Sequence, residues 1–356
     1  MKQQKILFAA IALAGAGLSA SNAYAQQAGN EFVIASWGGS YAQAQTRAIF
    51  QPYATTEGLE LVLVDYPGDP RAVDFQLAMD TPVWDIIDLE MHDTAQLCDR
   101  GALEPIAAIW DLVDPEGFID GSIQTCGLGN AVWTTGIAYD PAVVDPAASE
   151  LGATAFFDPT VPGRRAASRS APYLMELAVL ATGTTADQLY TRLGSERGVA
   201  EALAQLDAIA DQITWTDNRL QAYQEVEAAR ASFALTVHFL PARASVSGDA
   251  SLGFLWSNHL FEMDSFAMIR GTDSLDDGIS FLAASSQPAY QGAMATLSTY
   301  GPANLKALDF VSQSILPWMP HAQGNREGAI AFDAGFWESD AGARAAARFE
   351  AWLSGN

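Results

Sequence analysis

The sequence predicts an α/β protein of two lobes, each a mainly parallel sheet flanked by helices, with a ligand cleft at the hinge. Three observations carry this. Short apolar runs alternate with single helical stretches over 31–100, the pattern of right-handed βαβ units around a parallel sheet. A Pro/Ala-rich stretch, "DPAVVDPAASELG", follows a long extended run, and a second strand–helix series begins after it. The chain has 356 residues, about two domains' worth and enough for sizeable cores.

In order, "EFVIAS" (31–36) reads as a buried strand and 41–57 as a helix ended by Gly58. "LELVLVDY" (59–66) is a second strand, followed by a helix over 71–79. "WDIIDLE" (84–90) is a third, followed by a helix at 92–100 that closes at Gly101. Ligands collect at the carboxyl ends of strands in such sheets, so the turns "SWGGSY" and "LEMHD" are expected to face one crevice. "AVWTTGIAYD" (131–140) is a long extended run. The second series holds a strand in "RRAASRS", helices at 172–182 and 198–211, the strand "QITWT" and a helix at 219–230. Strands follow at 233–239, 252–256 and 264–270, then helices at 275–284, 289–300, 325–331 and 342–353. Extended crossings near 138 and 260 place 26–137 with 262–302 in one lobe, and 138–261 with 303–356 in the other.

Lys2 and Lys5, the apolar run "ILFAAIALAGAGL" and the small-residue ending "NAYA" form an export signal, with cleavage expected after Ala25. The apolar run is about 13 residues against the roughly 20 of a membrane-spanning helix. Removal of the signal leaves 16 basic and 42 acidic residues, a formal charge of −26, with Lys306 as the one lysine. Such a chain repels nucleic acid and anionic lipid, so neither is an expected partner. Cys98 and Cys126, 28 residues apart, would meet an oxidising compartment, where a disulfide between them is expected; two buried free thiols are the alternative.

Catalytic and cofactor motifs are sparse. His92, His238, His259 and His321 lack metal-ligand spacing. There is no nucleophile elbow or Walker loop, and Gly127 and Gly129 in "CGLGN" lack the third glycine of a dinucleotide fingerprint. No cofactor or metal is expected, and binding is favoured over catalysis. What recurs instead is aromatic and acidic groups at strand ends: Trp37, Tyr41, Glu90, Trp133, Asp264, Tyr300 and the pair Phe336–Trp337. Ring faces attract alkylammonium groups at about 0.5–2 kcal/mol per contact. Carboxylates add charge-assisted hydrogen bonds. Trp84, Trp110 and Trp352 are assigned to core packing.

"SWGGSYAQAQTRAIFQPY", "WDIIDLE…LCDRGALEPI", "NAVWTTGIAYD", "FFDPTVPGRRA", "DSFAMIRG" and "YGPANLKA" occur in one order. In this set the chain resembles the periplasmic spermidine/putrescine-type solute-binding proteins of ABC importers. The resemblance implies a type II-like periplasmic-binding-protein fold, a monomer that closes on one ligand and docks on an inner-membrane permease. It places an aromatic pair at Trp37 and Tyr41, with Gly38 and Gly39 allowing a tight turn near the ligand. A polar contact falls at Glu90, an ammonium-gripping aspartate at Asp264, and a binding tyrosine at Tyr300. One departure stands out. Polyamine binders of that family carry a tryptophan followed three residues later by an aspartate, where this chain has Phe239 and Ala242, with Arg243 adjacent. A ligand with an amine at one end and a carboxylate at the other would suit Asp264 and Arg243; Arg243 paired with a surface acid is the alternative. The expectation is capture of a small amine-bearing solute, polyamine-like or zwitterionic and opine-like. A periplasmic hydrolase using Glu90 and Asp264, or a sensor-associated binding protein, are the alternatives.

Overall fold

A computed structural model describes residues 31–144 and 152–355. The expected export segment lies outside the described residues, as does part of the Pro/Ala-rich connection.

The strands are β1 (Glu31–Ser36), β2 (Glu60–Asp65), β3 (Ile86–Glu90), β4 (Gly127–Tyr139), β5 (Arg165–Ser168), β6 (Ile213–Thr216), β7 (Phe233–Val237), β8 (Gly253–Met268), β9 (Gly301–Pro302) and β10 (Ala329–Ala331). They form one sheet in the order β2-β1-β3-β8-β4-β7-β5-β6, with β10 beside β8 and β9 beside β4. Both ends are parallel, as the βαβ reading requires: β1 pairs with β2 and β3, and β5 with β6 and β7. The centre is antiparallel. β8 joins β3 through Glu90↔Asp264, and β4 joins β7 through Thr135↔Val237.

Two long strands therefore link the ends. β4 and β8 run antiparallel from Gly127↔Ala267 to Tyr139↔Gly253, with register shifts at Gly129/Ala131 and Thr135/Ile137. Such irregularities bend and twist a strand, here where it passes from one end of the sheet to the other. The side chains bury in separate clusters. Phe32, Ile34, Phe50, Phe266 and Phe281 pack at the β1–β3 end, and Phe156, Leu174, Leu177, Phe233 and Phe349 at the β5–β7 end.

Arg165 is fully buried in the second cluster, over the Phe233 ring. Its guanidinium donates to the carbonyl oxygens of Phe156 (3.0 Å), Asp158 (2.6 Å), Val161 (2.9 Å) and Gly163, and to Gln212 Oε1 (2.5 Å). A loop that cannot satisfy its carbonyls within a ladder is thus satisfied by one side chain. His238 and His259 are equally buried beside the crossing strands. The Thr134 N–H donates to His238 Nδ1 (3.2 Å), and His259 Nδ1 lies 2.7 Å from Thr134 Oγ1. Burial pushes the two rings down to about 3 and about 4, so both are neutral near pH 7.

Four expectations are corrected. The strands expected at 252–256 and 264–270 are one strand, Gly253–Met268, in which Asn258 takes a positive φ of 58° where 256–259 steps out of the pairing with β4. The helix expected at 325–331 is a turn, Arg326–Gly328, followed by β10. There Gly328 lies so close to Trp256 that an added Cβ would fall 2.0 Å from its carbonyl oxygen. Phe239 opens a helix, Phe239–Ser247, with Pro241 in its first turn, rather than ending a strand. Trp110 is 43% exposed on a short 3-10 turn in which Ile109 takes the buried position. By contrast, Cys98 and Cys126 do form the expected disulfide.

Candidate functional site

β1 ends at Ser36, and the helix Gly39–Gln45 begins three residues later. Gly38 makes this possible. Its φ of 74° lies in the left-handed region, and a Cβ there would fall 2.8 Å from Asp65 Oδ1. Gly39 also has a positive φ, 59°, but an added Cβ would meet nothing within 4 Å. Gly38→Ala is therefore expected to lose about 1–3 kcal/mol of stability and Gly39→Ala about 1 kcal/mol, measured by denaturant unfolding. The difference between them reports the Asp65 clash.

The turn brings Trp37, Gly38 and Tyr41 to a cavity of about 280 Å³, completed by Glu90, Trp133, Asp264 and Tyr300. A larger, open depression of about 790 Å³ lies over the helices Leu189–Leu193 and Glu196–Asp207. Arg192 and Arg197 there both pair with Glu201, and no aromatic side chain lines it, so the smaller cavity is the better site. Seven of the ten expected ligand residues meet there. Gly39 faces open space. Phe239 stands behind Tyr300, stacked on it at 4.5 Å and 16°, and Arg243 lies over the far face of this pair, 5.3 Å from the Phe239 ring. Arg243 Nη2 donates to Ser298 O at 3.0 Å and Nη1 to Ser40 Oγ at 3.3 Å. Phe336 and Trp337 lie in the other core, the Trp337 indole N–H donating to buried Glu176 at 2.6 Å.

The floor of the cavity is acidic. Glu90 and Asp264 are cross-strand partners, so their carboxyls emerge side by side. Glu262, two residues before Asp264 on β8, leans the same way and accepts from Tyr173 Oη at 2.6 Å. Burial drives Glu262 up to about 8, and Glu90 and Asp93 also lie above the usual carboxylate range. Asp264 is held far above that range, first by burial and then by the charges of Asp88, Glu90 and Glu262. Tyr41 and Tyr300 pack at 4.8 Å, and the Tyr41 hydroxyl makes a long hydrogen bond of 3.3 Å to Asp264 Oδ2.

Sequence reasoning missed several residues here. Arg219, the first residue of the helix Arg219–Glu227, places its guanidinium 4.3 Å from the Tyr173 ring and 5.3 Å from the Trp133 ring, and donates to Thr135 Oγ1. It opposes the upward shifts of Glu90 and Glu262. The signal that could have found it is its position after "QITWT", another strand-to-helix turn. Tyr173 holds a strained φ of 69°, as does Thr299, beside Tyr300, at 64°. Such backbone strain gathers at ligand clamps. Asp88, a bare interruption of an apolar run, and Asn130 are buried inside strands, where the sequence assigned them no role. Two buried donors near the cavity, Trp37 Nε1 and Tyr66 Oη, have no partner among the described residues.

One sheet with two linking strands, and an aromatic, acid-floored cavity built on those strands, defines a protein that holds a small solute. The chain belongs to the family of bacterial extracellular solute-binding proteins, whose model matches residues 48–319. It is 29% identical to the gamma-aminobutyric acid-binding protein of Pseudomonas aeruginosa over 99% of both chains. Among solved structures, it is similar to the Atu4243 GABA receptor (25% identity, TM-score 0.74, covering 91% of this chain and 97% of that one). It is also similar to the periplasmic binding protein MotA of A. tumefaciens B6 in complex with glucopine (25% identity, TM-score 0.70, 90% and 99%). The spermidine/putrescine-type likeness is thus right at the level of solute-binding proteins; the family found is broader.

Proposed function

We propose that this protein is the periplasmic substrate-binding component of an ABC transporter and captures a small amino-carboxylate, with the ammonium at Asp264 and Glu90 and the carboxylate at Arg219. The observation that carries it is one cavity with carboxyls on its floor and, beyond the Trp133 indole, a guanidinium. Arg219 takes the role first given to Arg243, which lies against Phe239 behind the Tyr300 ring. The relatives named for gamma-aminobutyric acid and glucopine support an amino-carboxylate over a symmetric polyamine. A diamine would leave Arg219 facing a second cation, which costs rather than contributes affinity.

The chain is exported, loses residues 1–25, and acts as a monomer that binds without making or breaking a bond. Its two lobes, 26–137 with 262–302 and 138–261 with 303–356, close about the crossing strands and present the loaded form to an inner-membrane permease. Calorimetric titration with 4-aminobutanoate, 1,4-diaminobutane and a sugar-linked opine tests this reading. The amino-carboxylates are expected to bind, and Arg219→Gln to weaken them about 100-fold while sparing the diamine. A diamine bound more tightly than both, with Arg219→Gln without effect, would return the assignment to the polyamine class.

A further inference from the structure

Asp88 lies directly under the amine pole and takes no part in lining the cavity. It is fully buried, and both of its oxygens are held by neutral donors: Gln45 Nε2 at 2.6 Å, Asn130 Nδ2 at 3.0 Å and, more distantly, Ser36 Oγ at 3.5 Å. Asn130 in turn offers its Oδ1 to the Tyr41 hydroxyl at 3.4 Å, and that same hydroxyl reaches Asp264 Oδ2 at 3.3 Å. One O–H therefore faces acceptors on both sides, with both contacts long. None of the ion pairs among the described residues includes Asp88 or Asp264.

Two buried carboxylates that meet through the Tyr41 hydroxyl and Asn130, with no cation paired to either, cannot both be ionised cheaply. The other titratable groups around them make matters worse or are too distant to neutralise them. Glu90 on β3 and Glu262 on β8 add negative charge, Tyr41 and Tyr300 are neutral phenols, and Arg219 is engaged with Tyr173 and Thr135. Consistent with this, burial drives Asp88 up to about 7 against the pull of hydrogen bonds from Gln45, Asn130, Tyr41 and Ser36.

We propose that Asp88 is a positioning residue for the amine pole: in the unliganded protein Asp88 and Asp264 retain one proton between them, and a primary ammonium arriving at Asp264 displaces it to solvent. This rests on the amine-pole reading above. The ligand keeps all its protons and the protein loses one, so binding is a proton-for-ammonium exchange. Affinity then rises with pH, by up to about tenfold per unit while the pair is protonated, and levels off once it is not. As the charge of Asp88 opposes ionisation of Asp264, the titration belongs to the pair.

The ligand-free protein provides the first test. With carbon-13 in the aspartate carboxyls, NMR is expected to show a buried carboxyl that still carries a proton at pH 6; two that titrate together below pH 5 would overturn the proposal without any ligand. Acids raised in the folded state stabilise it at low pH and lose that effect as pH rises through the folded value. The pair's own contribution to stability therefore falls from about pH 4 towards 7, opposite in sign to that of the buried His238 and His259, and Asp88→Asn should remove part of that fall. The second test is titration calorimetry with 4-aminobutanoate at pH 6.5 in buffers of different ionisation enthalpy. About one proton should be released by the wild type and distinctly less by Asp88→Asn, whose affinity should vary less with pH. Equal release in both overturns the role of Asp88. If 4-aminobutanoate fails to bind, the amine-pole reading fails, and the NMR result still decides on the proton.

Discussion

Asp264→Asn is expected to reduce ligand affinity by about 100- to 1,000-fold while making the unliganded protein more stable. The two effects have one origin. Asp264 is 4% exposed and sits among Asp88, Glu90 and Glu262, so its charge is a cost until a cation arrives. Asparagine keeps the shape and an acceptor for Tyr41 but loses the charge, and truncating one side of a buried charged pair costs about 2–5 kcal/mol of binding. Calorimetry for the ligand and denaturant unfolding for the free protein measure the two halves. A variant that binds normally would remove Asp264 from the amine pole. One that binds poorly and is also destabilised would make its role architectural.

The second large effect lies far from the ligand. Arg165→Leu is expected to lose about 3–5 kcal/mol of stability, read from urea unfolding, with any remaining folded protein binding normally. The side chain is wholly buried and serves five carbonyls, that of Ala155 the most distant at 3.5 Å, and Gln212. Leucine would fill some of the volume but leave those acceptors without a donor, each at about 1–3 kcal/mol before relaxation. The segment 155–163, the end of a one-turn helix (Thr154–Phe157) and the loop after it, should open first, because its carbonyls would lose their shared donor. A loss below 1 kcal/mol would mean that water replaces the guanidinium.

Much of this could be read from the sequence, and the reasons are local. Trp37, Tyr41 and Glu90 sit at strand-to-helix turns, which an α/β sheet gathers at one edge whatever the rest of the chain does. Asp264 came from its place at the start of the strand expected at 264–270 and from the resemblance. The disulfide followed from two cysteines and an export signal. What escaped depends on partners distant in sequence. Arg219 reads as an ordinary helix start until β5, β6 and β7 bring it over Tyr173 and Trp133. Asp88 looks like an interruption in "WDIIDLE" until Gln45 and Asn130, 43 and 42 residues away, close around it. Arg243 is the converse case: it is near the cavity, but it donates to Ser298 and Ser40, and in the proposed reading its part passes to Arg219.

The placement of the acids on β8 bears on timing. Trp133 and Asp264 belong to the two strands that link the ends of the sheet, whereas Arg219 belongs to a helix beyond them. In the proposed reading a solute meets the carboxyl floor while the molecule is still open, and reaches the guanidinium as it closes. The two poles then govern different rates. The floor, in a molecule of strongly negative charge, sets how fast a cationic end arrives; the guanidinium sets how long the solute stays. A permease that must pull the solute out would need to release only the second grip to free the carboxylate end first.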